Sequence, residues 1–190
     1  LHNLQKCFVS VHIQITFLHV HIISINFTYF RFKYINKDKQ KARALFHDKE
    51  SRDIMTEKQI TKSFSRQSFL AAIGARLESV EAGQVAVSCS SRDDLKQHTG
   101  VLHAGVLCTI ADVACGYAAM TLVPDHCSIV SVEFKVNLLR PVGGKKVVAI
   151  GRVIKPGKTL MIAEADVVDD DTGKLVAKML STMMVMKGEA

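Results

Sequence analysis

The 190-residue chain lacks several motifs that would define its chemistry at once. No two of its five cysteines are separated by just two residues, the Cys-x-x-Cys spacing of a zinc or redox motif, and their number is odd. The chain has no glycine-rich phosphate loop. No metal or cofactor is therefore expected, and the cysteines are interpreted as reduced thiols of a cytoplasmic protein.

The surplus of basic residues is concentrated in one part of the chain. Of the net charge of +7, +5 belongs to residues 1–54 and only +2 to residues 55–190. Nucleic-acid binding would need basic residues clustered on one face of the domain, which a nearly balanced charge does not supply. We therefore expect no nucleic-acid partner.

Residues 1–54 differ in composition from the rest and are predicted to be a leader outside the domain. They hold six of the nine Phe and five of the eight His, and polar residues interrupt every apolar run before it reaches membrane-spanning length. Arg31 and Lys33 follow the apolar part, whereas a signal peptide carries its positive charge first. The leader is either upstream sequence read in frame, with Met55 as the natural start, or a disordered extension. Residues 55–190 are predicted to be the folded domain, with no membrane partner.

The domain sequence predicts one helix packed against one antiparallel sheet. Thr56 and Gln59 have capping-box spacing, and Ile60, Phe64 and Phe69 predict one short helix that ends near Gly74. Turn residues separate the β-rich stretches, which are Ala75–Val80, Val85–Cys89, Ser128–Leu139, Lys145–Ile154, Thr159–Val168 and Leu175–Met186. Short connections between successive strands favour an antiparallel meander. The fold class is therefore α+β.

The stretch from His103 to Met120 is an Ala-rich apolar helix with one carboxylate, Asp112. Hydrophobic residues on every face predict a helix that is buried all round. An unpaired buried carboxylate costs several kcal/mol, on the order of the desolvation penalty of a lone charge. Asp112 therefore lies at an exposed edge, is paired with a distant Lys or Arg, or is a base or nucleophile in a site that the helix holds.

A polar loop from Gln97 runs into the start of this helix. The first backbone N–H groups of a helix have no internal partner, so those of Ala104 and Gly105 could stabilise an oxyanion. His103 and Asp112 are nine residues apart, which corresponds to roughly 13 Å and opposite faces of a helix. They cannot act together within one chain, so a site that used both features would require a dimer. His103 alone is either a catalytic residue or a capping residue.

The segment from Gly100 to Ala119, with Asp112 seven residues after Gly105, resembles the PaaI-like hotdog thioesterases. The similarity continues through Val132–Pro141 and Gly151–Leu160 and covers about residues 57–187. It implies a hotdog fold, in which a curved antiparallel sheet wraps a long central helix. It also implies a homodimer with shared active sites, expected to assemble further into a dimer of dimers, a homotetramer.

The resemblance implies that the domain hydrolyses an acyl-CoA or aryl-acyl-CoA thioester to the free acid and CoA. Asp112 would be the nucleophile or the general base for water, with the amides of Ala104 and Gly105 polarising the carbonyl. Gln97 stands where many members carry Asn and would orient water or the thioester, and Ser131 is a candidate hydroxyl that assists the water. Candidates for contacting the CoA phosphates are Arg140, Lys155 and Lys158. The alternative is a non-catalytic acyl-CoA-binding module that acts as a ligand sensor.

Overall fold

A computed structural model describes residues 54–187 of the chain. The prediction about the leader concerns residues 1–54, of which only Ile54 is described, so it stays a prediction. The helices are α1 (Glu57–Ser65), α2 (Ser68–Ile73) and α3 (Ala104–Met120), and the strands are β1 (Ala75–Glu81), β2 (Gln84–Ser90), β3 (Cys127–Leu138), β4 (Lys146–Lys155), β5 (Leu160–Asp169) and β6 (Leu175–Lys187). No helix within residues 54–187 is long and apolar enough to cross a bilayer.

The leading helix is two helices, which corrects the prediction of one. The Thr56–Gln59 capping box starts α1, and Gly74, with a φ of 71°, ends α2 in the left-handed conformation that glycine adopts without strain. Between the two helices Gln67 is extended, and its side-chain amide donates to the Tyr117 hydroxyl at 2.7 Å. Because of this break, the apolar side chains of α1 and α2 do not form one continuous stripe. Ile60 and Phe64 are buried, but Phe69 is 61% exposed.

All neighbouring strands are antiparallel, but the order β1-β2-β4-β5-β6-β3 is not a simple meander. Instead of forming a hairpin with β4, β3 pairs with β6 at the edge of the sheet. Three strand spacings of about 4.8 Å separate β3 from β4, a distance that seven extended residues can span. A short connection therefore did not require adjacent strands here, and the meander prediction is wrong for β3.

The central helix α3 packs along the concave face of the sheet. Nine of its residues are buried in the main core, against strands that include β2, β4 and β5. Gly151 of β4 lies so close to α3 that a Cβ atom there would come within 2.6 Å of the Cys115 backbone nitrogen. This glycine allows the helix to approach the sheet closely.

One face of α3 remains open within the single chain. Gly105, Thr109, Asp112 and Gly116 are exposed or half-buried, and their spacing of three or four residues places them along one stripe. The prediction of a helix buried on every face is therefore wrong for one copy of the chain. Two of the four stripe residues are glycines, so another surface can approach this face of the helix closely.

Candidate active site

Asp112 lies halfway along α3 on the open stripe, next to the edge strand β3. The Ser131 hydroxyl donates to the Asp112 carboxylate oxygen Oδ1 at 2.6 Å. Such a short hydrogen bond to a carboxylate belongs to the strong, charge-assisted kind. Asp112 is half-buried, so its desolvation cost is smaller than the sequence suggested, and one lone pair is already satisfied. The sequence identified both residues as candidates, and β3 brings them together.

Cys115, one turn after Asp112, is fully buried in the core. Burial raises the pKa of its thiol to about 12, and the charges of Asp112 and Glu164 add to this effect. A thiol with this pKa stays protonated at neutral pH, and a thiolate is the reactive form. Cys115 is therefore a packing residue, and Asp112 is the ionisable side chain of this part of α3 that is open to solvent.

The start of α3 is capped by His103. The imidazole Nδ1 accepts a hydrogen bond from the Gly105 N–H at 2.9 Å, which requires a neutral ring with its proton on Nε2. The Gly105 N–H, one of the two predicted oxyanion donors, is therefore engaged. The Ala104 N–H has no acceptor among residues 54–187, so it is the donor that remains available at this helix terminus.

Gln97 lies in a tight loop just before α3. Its N–H donates to the Val101 carbonyl at 3.0 Å, and its own carbonyl accepts from the Gly100 N–H at 2.9 Å. The His103 N–H then donates to the Leu95 carbonyl at 2.9 Å and closes the base of the loop. The loop is thus anchored by its backbone, while the Gln97 side chain is left exposed beside the start of the helix.

One chain therefore contains two separate halves of the predicted site. Gln97, His103 and Ala104 lie at the N-terminal end of α3, whereas Asp112 and Ser131 lie near its middle. Eight or nine helical residues correspond to roughly 12–13 Å along the axis. No hydrogen bond in the described part of the chain links the two groups.

The three predicted phosphate-binding residues lie at different ends of the sheet. Arg140 follows β3 near the N-terminal end of α3, and its guanidinium donates to the Leu175 carbonyl at 2.6 Å. Lys155 and Lys158 are exposed at the end of β4, beside the C-terminus of α3. Val153 and Gly83 are hydrogen-bonded there, and the Gly83 N–H donates to the Thr121 hydroxyl that follows α3.

A cleft of about 320 Å³ opens beside the N-terminus of α3. Residues from α2, the loop after β2 and the first turns of α3 line it: Phe69, Ile73, Asp94, Leu95, Lys96, His103, Gly105, Val106 and Thr109. The prediction of one leading helix placed Phe69 on the same apolar stripe as Ile60 and Phe64, so it gave no sign of this cleft. The five-residue step from Phe64 to Phe69 was an available signal, since an unbroken helix would rotate the second ring about 140° away from the first.

The arrangement of a curved antiparallel sheet around one central helix, with a carboxylate on that helix, defines the hotdog class. A family model described as the thioesterase superfamily matches residues 99–176. A solved thioesterase family protein from Silicibacter pomeroyi is 37% identical, with a TM-score of 0.66, and the match covers 68% of this chain and 96% of that one. The chain belongs to the thioesterase superfamily and is a thioester hydrolase. The predictions of fold and family are thereby confirmed.

Two further comparisons agree with this assignment. Mouse acyl-coenzyme A thioesterase 13 is 32% identical over 87 residues, which are 44% of this chain and 61% of that protein. The PaaI protein of the E. coli phenylacetic acid degradation operon shares the fold at 20% identity, with a TM-score of 0.62 and coverage of 67% of this chain and 90% of that one. At this identity the second comparison shows the fold alone.

Proposed function

We propose that the protein hydrolyses acyl-CoA thioesters at a site assembled from two copies of the chain. The observation that carries the proposal is the division of the candidate residues into two halves along α3. A carboxylate and an oxyanion donor must lie within about 3 Å of the same reacting carbonyl group. Since one helix holds them roughly 12 Å apart, the complement to Asp112 must come from the α3 terminus of a second copy.

The surface around β3 supports this homodimer. Phe134 lies opposite Ser181 and Leu138 opposite Ala177, and both partners are buried on the concave side of the sheet. Phe134 and Leu138 therefore point to the helix side, yet they are 47% and 52% exposed. A long edge strand with exposed apolar residues is a template for pairing with another chain. A second copy joined at β3 would continue the sheet and bring its own α3 towards Asp112 on the open stripe.

The chemistry proposed for the assembled site begins at Asp112. As a general base, its carboxylate would take a proton from a water molecule whose oxygen attacks the thioester carbon. The Ala104 N–H of the second copy would stabilise the oxyanion, the C–S bond would break, and the proton would pass to the CoA thiolate. As a nucleophile, Asp112 would instead attack the thioester carbon and expel the CoA thiolate, which forms a mixed anhydride. Water would then hydrolyse this anhydride, and a proton from that water would pass to the thiolate. In either case Ser131 orients the carboxylate, and Gln97 is placed to orient water or the thioester.

The basic residues fit a CoA-binding role through their position and exposure. In an antiparallel dimer, the C-terminal end of one α3 approaches the N-terminal end of the other, which would bring Lys155 and Lys158 towards the second copy's site. Exposed ammonium groups suit phosphates as point charges. The Arg140 guanidinium already donates to a carbonyl but retains further N–H donors for a phosphate oxygen.

The test is a panel of CoA thioesters with aliphatic and aryl acyl groups, in which released CoA is measured as free thiol. We expect hydrolysis of at least one subset, together with a dimer or a dimer of dimers by analytical ultracentrifugation. Tight binding of CoA esters without thiol release from any of them would contradict the proposal and favour a ligand sensor. An active monomer would contradict the shared site.

A further inference from the structure

The cleft beside α3 reaches the first turn of that helix, next to the candidate oxyanion donor. His103 and Gly105, which lie on either side of Ala104, form part of its wall. A carbonyl oxygen placed at the Ala104 N–H would therefore have one substituent directed towards the cleft. In a CoA thioester, that substituent is either the acyl chain or the thiol carrying the long phosphorylated arm.

The lining of the cleft favours the acyl chain. Its lining includes the apolar side chains of Ile73, Leu95 and Val106. The charges at its rim are neutralised locally, because Asp94 pairs with Arg92 at 3.0 Å and Lys96 pairs with Asp93 at 2.8 Å. Phosphate groups require unpaired cations or free N–H donors, whereas an apolar chain gains by leaving water.

Phe69 forms the outer wall of this cleft. On α2, Leu70 and Ile73 point into the core at 1% and 7% exposure, which leaves Phe69 61% exposed on the cleft side. The Gln67–Tyr117 hydrogen bond and the glycine cap at Gly74 fix both ends of this short helix. An exposed aromatic ring held at the mouth of an apolar cleft is placed to cover an apolar ligand.

We propose that this cleft is the acyl-binding subsite and that Phe69 sets its preference for acyl length. The proposal rests on the thioester hydrolysis proposed above. A volume of about 320 Å³ corresponds to about ten water volumes, and therefore to about ten non-hydrogen atoms. An octanoyl or phenylacetyl group fits within this limit, whereas a dodecanoyl chain extends past Phe69. The substrate class is thus a short to medium acyl or a single-ring aryl-acyl thioester.

The test compares kcat/KM for butyryl-, hexanoyl-, octanoyl- and dodecanoyl-CoA in the full-length enzyme and in Phe69→Ala. For the wild type we expect a gain of about threefold to fourfold per methylene group up to octanoyl, the factor that buried methylene groups contribute, and no further gain at dodecanoyl. Phe69→Ala should lower the octanoyl-to-butyryl ratio of kcat/KM about tenfold, because the longer chain loses the contact with the ring. Phe69→Leu should give an intermediate ratio.

The control variant is Leu180→Ala, which removes another half-exposed apolar side chain, one that lies on β6 and is not part of the cleft. It should leave the chain-length profile unchanged. A Phe69→Ala enzyme whose kcat/KM values are unchanged, or fall by one common factor for all four esters, would overturn the subsite while leaving the proposed hydrolysis intact.

A second measurement separates the two proposals if no thioester is hydrolysed. The non-hydrolysable thioethers S-butyl-CoA and S-octyl-CoA are titrated calorimetrically into the wild type and Phe69→Ala. Tighter binding of the octyl compound that is lost in Phe69→Ala would support the subsite even though hydrolysis had failed. Equal affinity of the wild type for both thioethers would overturn it.

Discussion

Replacing Asp112 by Asn tests the proposed chemistry with little change of shape. Asn keeps an oxygen that can accept the hydrogen bond from Ser131, now 2.6 Å long, so the packing of α3 against β3 should be preserved. It loses the negative charge and the ability to take a proton or attack a carbonyl. Loss of a general base or nucleophile typically lowers turnover by about a hundredfold to ten-thousandfold. We expect kcat to fall at least a hundredfold, which corresponds to about 2.7 kcal/mol in activation free energy.

The assay measures CoA release under saturating substrate, with the melting temperature and sedimentation coefficient as checks on fold and assembly. Both checks should be unchanged, because Asp112 is half-buried and its hydrogen bond survives. A matched control is Asp166→Asn, which makes the same chemical change on the outer face of β5. Turnover of Asp112→Asn within a few-fold of the wild type would refute the catalytic assignment of this carboxylate.

A single-turnover reaction in ¹⁸O-labelled water distinguishes the two roles left open for Asp112. If Asp112 is the nucleophile, water attack at the aspartyl carbon of the anhydride places the label in the protein. If it is a general base, or if water attacks the acyl carbon of the anhydride, the label appears only in the released acid, so label in the protein is the outcome that identifies the nucleophile. Mass spectrometry of the peptide that contains Asp112 gives the answer.

Four further predictions concern assembly and stability. Phe134→Glu should shift the sedimentation equilibrium towards monomer and lower activity in parallel, because it places a charge on the apolar surface assigned to the dimer; an active monomer would contradict this. Gly151→Ala should lower the free energy of unfolding by about 1–3 kcal/mol, measured by denaturant titration, because its methyl group would clash with the α3 backbone. His103→Ala should lower the free energy of unfolding by about 0.5–2 kcal/mol, because the helix loses its cap. His103→Asn should restore most of this free energy, and equal stability of the two variants would argue against capping. Partial burial alone would raise the pKa of Asp166, but Lys178 and Arg152 outweigh it and lower that pKa below its usual 3.8. The charged carboxylate therefore stabilises the folded state above about pH 4, and this contribution is lost as the pH falls from there through the folded-state pKa. The difference in free energy of unfolding between wild type and Asp166→Asn should close over that fall in pH, and a difference independent of pH would contradict the assignment.

Local sequence signals predicted most of the elements of this fold. Alanine-rich composition identified α3, the Thr56–Gln59 box marked the start of α1, and proline, glycine and aspartate marked the turns between the later strands. These signals work because helix caps and turns depend on interactions within a few residues. Resemblance over residues 57–187 added the family, and with it the thioester chemistry.

The tertiary structure decided the features that depend on distant contacts. The pairing of β3 with β6 brings Ser131 to Asp112, and no local rule specifies which strand a segment will join. The hydrogen bond from Gln67 to Tyr117, fifty residues away, accompanies the break in the leading helix that exposes Phe69. The sequence by itself determined that Asp112 lies on an apolar helix too far from that helix's own N-terminus to use its amides. The structure added what surrounds this carboxylate: a serine that donates a hydrogen bond to it, an open helix face, and an edge strand with exposed apolar side chains.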